Sequence, residues 1–83
     1  MYNLRISRRA IKDIAGLPKE YARLVSQHID GLQENPRPPG VKRLKETKDY
    51  SLRVGMYRIL YDVDDESSTV TVYRVKHRRE AYR

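Results

Sequence analysis

Tyr50-Ser51-Leu52-Arg53-Val54-Gly55-Met56-Tyr57-Arg58-Ile59-Leu60-Tyr61 alternates apolar with polar residues over most of its length, the period of strands that bury one face. The Gly-Met pair in the middle is the length of a tight hairpin turn. If Gly55 and Met56 are the two turn residues, antiparallel pairing sets Val54 opposite Tyr57, Arg53 opposite Arg58 and Leu52 opposite Ile59. One face then collects Tyr50, Leu52, Val54, Tyr57, Ile59 and Tyr61 and reads as core. The other collects Ser51, Arg53, Arg58 and Leu60 and reads as non-core. Two arginines directly opposite each other repel, and an anion between them would relieve the repulsion. Splaying into solvent, or pairing with Glu46 or Asp49, would relieve it equally.

Working outward, a polar turn at Asp64 to Ser68 leads to a third strand, so strands near 50–54, 57–63 and 69–75 make an antiparallel meander. Residues 2–6 alternate as a half-buried strand, and Ser7 stands where a helix N-cap belongs. A first helix is expected from Arg8 to Ala15, with Ala10, Ile11, Ile14 and Leu17 inward and Gly16 as its stop. Pro18 opens a second, in which Tyr21, Leu24, Val25, His28, Ile29 and Leu32 recur at spacings of three and four. His28 on that stripe reads as a core or boundary residue. Gly31 inside the helix costs about 1 kcal/mol relative to Ala, and Asn35-Pro36 is expected to end it. Pro36, Pro38, Pro39 and Gly40 form a surface crossing from helix to sheet. The tail from His77 to Arg83 is long enough for a turn or two of helix against the body. The expectation is one α+β domain over residues 1–83: strand, two-helix hairpin, three-stranded meander, short C-terminal helix.

Eighteen Lys and Arg against eleven Asp and Glu leave a charge of +7, which favours a polyanionic partner. The charge is segregated. Lys42, Arg43, Lys45, Lys48, Arg53 and Arg58 form one basic stretch and Arg74, Lys76, Arg78, Arg79 and Arg83 another, with Asp62, Asp64, Asp65 and Glu66 between them. No cysteine is present, which fits a reducing cytosol, and no apolar run suits a membrane span or a visible export signal, so a cytoplasmic, membrane-free protein is expected. No Cys or His spacing suggests zinc. Asp62, Asp64 and Glu66 begin like a calcium loop, but Ser67 and Tyr73 occupy its glycine and glutamate positions. Neither a metal nor another cofactor is expected, and no glycine-rich loop or nucleophile motif appears.

In the tail, Arg78 and Tyr82 are four apart and share a side if it is helical. Guanidinium binds phosphate through a planar fork while a ring stacks on an unpaired base, the pairing that single-stranded RNA asks for. Tyr82 reads equally well as an anchor that pins the tail to the sheet.

Tyr50 to Tyr61 resembles the segment of RelE-type toxins in which an arginine-rich strand, a glycine turn and a Tyr-Arg pair precede an apolar strand. Val75-Lys-His-Arg-Arg-Glu-Ala-Tyr-Arg83 resembles their closing motif, and the order of elements over residues 2–83 is similar too. The chain thus looks like a RelE/ParE superfamily toxin, an mRNA interferase of a type II toxin-antitoxin system. The resemblance implies metal-independent cleavage of messenger RNA in the ribosomal A site, the 2′-hydroxyl attacking the adjacent phosphate. It also implies contact with ribosomal RNA, arrest of translation and neutralisation by an antitoxin protein. On this analogy Arg53 and Arg58 clamp the phosphate, Arg78 assists the leaving oxygen and Tyr82 stacks on a base. Lys45 is the candidate base-like cation, since lysine can be tuned downward by neighbouring positive charge, and His77 is the alternative proton carrier. Lys42, Arg43, Lys48, Lys76, Arg79 and Arg83 would contact RNA, and Arg8, Arg9 and Arg23 the antitoxin or ribosomal RNA. RelE-type chains often carry a basic residue where Ser51 sits, which leaves this site one cation short. A ParE-like inhibitor of DNA gyrase and a catalytically silent binding module are the alternatives on the same fold.

Overall fold

A computed structural model describes residues 1–47 and 49–79. Five strands and two helices run in the order β1 (Asn3–Ile6), α1 (Arg8–Ala15), α2 (Lys19–Gly31), β2 (Lys42–Arg43), β3 (Tyr50–Val54), β4 (Tyr57–Asp64) and β5 (Thr69–His77). They form an α+β structure with one mixed sheet in the order β1-β5-β4-β3-β2. β3, β4 and β5 are the expected antiparallel meander. β1 joins it in parallel beside β5, and the short edge strand β2, absent from the sequence reading, pairs with β3. Of the tail expected to be helical from His77 to Arg83, His77 instead ends β5 and residues 78 and 79 form a turn, while the rest, with Tyr82 and Arg83, lies outside the described residues, as does Lys48.

The hairpin register is the one expected: Val54 faces Tyr57, Arg53 faces Arg58 and Leu52 faces Ile59. Gly55 takes φ +59°, the left-handed geometry that glycine supplies at the first position of such a turn. A Cβ there would stand 3.3 Å from the Tyr21 ring of α2. The helices cover one face of the sheet, where Ala10, Val25, Ile29 and Leu32 pack on Leu52, Val54, Ile59, Tyr61, Val70, Val72 and Val75.

Ser7 caps α1 as expected, its hydroxyl accepting from the Ala10 N–H at 3.1 Å, and Gly16 closes it. Ile11, expected inward, is 54% exposed. The inward stripe of α1 is Ala10, Asp13, Ile14 and Leu17, and Asp13 takes a position that hydrophobic patterning assigns to an apolar residue. Likewise α2 buries Val25 and Ile29, followed by Leu32, while Leu24 and His28 on the flank are exposed. His28 is therefore a surface residue. α2 also ends at Gly31, four residues before Asn35, and hydrogen-bonded turns carry the chain on, with the Asn35 N–H reaching the Gly31 carbonyl at 3.1 Å.

Candidate nucleic-acid interface

Residues paired across neighbouring strands point to the same side of a sheet, so the registers define the face opposite the helices. One rung of it is Arg53, Arg58 and Lys76, across β3, β4 and β5. The next is Lys42, Ser51, Leu60 and Arg74. The one after that carries Asp62, Thr71 and Arg5, and Asp49, two residues before Ser51, stands level with it. The open face is thus cationic toward the Gly55 turn and acidic toward its middle.

The reading of this face as non-core needs one correction. Arg58 is only 7% exposed and Ser51 2%. The guanidinium donates from Nη1 to the Ser51 hydroxyl at 3.3 Å. Arg53 beside it is exposed and folds back to donate from Nε to the Gly55 carbonyl at 3.1 Å. One arginine is buried against a neighbouring strand and the other lies exposed over the turn. Ser51 is a hydroxyl partner of Arg58, a role that sequence reasoning missed because nothing in the local alternation shows that Arg58 is covered.

β5 reaches this face through a bulge. Leu60 pairs with Arg74 and Tyr61 with Val72, so Tyr73 is an extra residue and both Tyr73 and Arg74 oppose Leu60. Without the bulge, Arg74 and Lys76 would keep the parity of Val70 and Val72 and point into the core. With it Val75 takes the core position and Lys76 joins the arginines. Arg74 swings to α1, where Asp13 accepts from its Nε at 2.8 Å and its Nη2 at 3.2 Å, and from the Val75 N–H at 2.9 Å. Burial pushes the Asp13 carboxyl upward, but these hydrogen bonds outweigh it and hold it below the usual carboxylate value.

The same parity sends His77 to the helix side. Its ring meets the Tyr57 ring edge-on at 5.7 Å, and its Nδ1 accepts from the Arg79 N–H at 3.3 Å. The sheet therefore stands between the imidazole and Arg58. Arg78 is exposed, and its N–H donates to the Met56 carbonyl at 2.7 Å, which fixes its backbone beside the β3–β4 turn; Arg79 follows it, also exposed. Lys45 lies in the β2–β3 turn at the opposite end of β3 from Gly55. By the rise of a strand it is more than about 13 Å from Arg53. Arg43 points to the other side from Lys42, its guanidinium 5.6 Å from the Tyr50 ring centroid. Of the expected site residues the sheet brings together Arg53, Arg58 and Lys76, with Lys42 one rung away and Arg78 at the turn. Lys45, Arg43 and His77 are placed elsewhere.

Arg37 was not singled out from sequence. It clamps Asp65 at 2.8 and 3.3 Å and donates from Nε to the Tyr50 hydroxyl at 2.9 Å, while the Tyr2 hydroxyl donates to Asp65 at 2.6 Å. Hydrogen bonds from Arg37 and then Tyr2 hold the Asp65 carboxyl below its ordinary value. This network ties the N-terminus to the proline loop and the β4–β5 turn. Among the described residues no three His, Asp or Glu side chains converge as a metal site requires. Among the described residues no helix is long and apolar enough to cross a membrane.

A sheet with two helices on one face and a buried arginine in a cationic row on the other defines a small, basic α+β protein with a cationic open face. Within that class the chain belongs to the RelE/ParE superfamily of toxins: it matches the ParE toxin family of type II toxin-antitoxin systems over residues 4–82. It is 36% identical over 84 residues to the toxin RelG of Mycobacterium tuberculosis, covering 99% of this chain and 97% of that one. Among solved structures it resembles a chain of the RelBE2 toxin-antitoxin complex of M. tuberculosis, with a TM-score of 0.81, 34% identity and 92% and 96% of the two chains covered. A chain of the archaeal RelE-RelB complex of Pyrococcus horikoshii gives a TM-score of 0.83 at 28% identity, with 93% and 94% covered. The chain is a RelE-type toxin by family and by fold.

Proposed function

We propose that the protein is a ribosome-dependent endoribonuclease that cuts messenger RNA and is neutralised by a cognate antitoxin. The observation that carries this reading is the rung of Arg53, Arg58 and Lys76 on one open face, with Arg58 buried and hydrogen-bonded to Ser51. A buried guanidinium is pre-oriented, so it stabilises charge developing on a phosphate with little reorganisation. Arg58 grips a non-bridging oxygen, Arg53 closes over the phosphate from the neighbouring strand, and Lys76 adds charge from the third. The 2′-oxygen forms a bond to phosphorus as the bond to the 5′-oxygen breaks. The 2′-proton passes to water, and the 5′-oxygen takes a proton from water held at the Arg78 side, leaving a cyclic phosphate and a 5′-hydroxyl. No protein nucleophile and no metal take part in these steps.

Tyr82 keeps the base-stacking role that the resemblance suggests. Lys45 and His77 do not serve as proton carriers in this reading, because one stands at the far end of β3 and the other behind the sheet. Lys45 and Lys42 contact the RNA strand as it leaves the site, and the cations of the tail, with Arg8, Arg9 and Arg23, face ribosomal RNA. The antitoxin is supported by solved relatives, which are complexes of RelE toxins with RelB from M. tuberculosis and P. horikoshii. An acidic segment laid on a +7 chain would cover the cationic rung. A protein that acts on translating ribosomes works in the cytoplasm.

The test is a cell-free translation reaction with message ends mapped. Cuts within codons on ribosome-engaged message are expected, and they should vanish with Arg58→Ala. Intact message at equimolar toxin and ribosome contradicts the reading. Intact message together with inhibited gyrase supercoiling would move the protein to the ParE-like alternative.

A further inference from the structure

The bulge that carries Lys76 to the open face also presents Tyr73 there. Tyr73 is the extra residue of β5, and it lies 42% exposed next to half-buried Leu60. Its backbone is pinned, since its carbonyl accepts from the Ser7 hydroxyl at 2.7 Å. An exposed tyrosine at this position adds nothing to the core, and bulges recur where a side chain is aimed beside a functional site. Leu60 is two residues from Arg58, so the ring stands about 7 Å along the strand from the cationic rung, close to the spacing of one nucleotide.

We propose that Tyr73, with Leu60 beside it, is a stacking platform for the unpaired base next to the phosphate held by Arg53, Arg58 and Lys76. This rests on the RNA-cleaving reading above and adds a base subsite to it. Charge decides that a base and not a second phosphate occupies the shelf. The rung beyond it carries Asp62, with Asp49 level with it, and of the cations on the shelf's own rung Arg74 is already paired with Asp13 while Lys42 stands two strands away on the edge strand β2. Asp62 and Asp49, after burial, also push the Tyr73 phenol above its ordinary value. A phosphate there would meet repulsion, whereas the neutral face of a base stacks on a ring without regard to sequence.

The experiment measures binding of the whole protein to two uncleavable octanucleotides of equal charge, a 2′-O-methyl RNA and its abasic counterpart, with Tyr73→Ala, Tyr73→Phe and Arg58→Ala. Tyr73→Ala should weaken binding of the base-bearing strand about tenfold, within the range for one stacked base, and leave the abasic strand unchanged. Tyr73→Phe should bind as wild type does, and thermal melts should show all variants folded. Equal weakening on both strands, or none on either, overturns the subsite. If instead Arg58→Ala binds both strands as wild type does, the RNA-cleaving reading itself fails.

Discussion

Ser51 shows how a single hydroxyl can stand where a cation is expected. The resemblance to RelE-type chains implies a basic residue here, and the chain instead buries a serine that accepts from Arg58. One hydrogen bond to a charged group is worth roughly 1.5 kcal/mol, about tenfold in rate if it is felt only in the transition state. Ser51→Ala should therefore slow message cleavage several-fold, and Ser51→Thr should restore it, as read in single-turnover cleavage on ribosomes. Asp13 belongs to the same scale but acts on stability. Its carboxyl is held below the ordinary value of 3.8 in the folded protein. Its contribution is thus complete above the unfolded value and disappears as pH falls through the lower folded one. Asp13→Asn should lose about 1–2 kcal/mol at pH 7, and its urea midpoint should fall less steeply than that of wild type between pH 5 and pH 2. The opposed arginines were legible in the sequence, because a two-residue turn dictates which residues face each other. The burial of Arg58 and the inward pairing of half-buried Asp13 were not, since each depends on a partner from a distant element that no local pattern reveals.

At the scale of elements, the β3–β4 hairpin sets the site and the β5 bulge completes it. Gly55→Ala would force a side chain into left-handed geometry and against the Tyr21 ring. A loss of about 1–2 kcal/mol is expected in urea unfolding, together with reduced cleavage as the Arg53 and Arg58 register loosens. The strands and helices were readable because their apolar periods are strong. The parallel docking of β1 and the two-residue β2 were not, since pairing between distant segments leaves no trace in alternation. The bulge did leave one. Val70 and Val72 keep a period of two and Val75 breaks it, so the phase change that turns His77 inward and Lys76 outward was written in the spacing of three valines. That change is why a proton-carrying role for His77, reasonable from its neighbour Arg78 in the chain, does not follow from its place in space.

For the whole molecule, a charge of +7 is too coarse a guide, because the sheet divides its cations between two sides. Arg43 and Arg37 gather at the Tyr50 ring, while Arg53, Arg58 and Lys76 line the open face. The salt dependence of RNA binding should follow that division. Arg58→Ala and Lys76→Ala should each lower the slope of log affinity against log salt by about one, and Arg43→Ala should lower it less. The most direct measurement of RNA binding on the open face follows the arginine Nε–H signals by NMR as an uncleavable 2′-O-methyl RNA is titrated onto the labelled protein. Arg53 and Arg58 should shift together and saturate at one concentration, with Arg37 and Arg43 unmoved. Shifts at Arg37 and Arg43 with Arg53 and Arg58 silent would place the RNA on the other side of the sheet and rule out a phosphate site between the two opposed arginines.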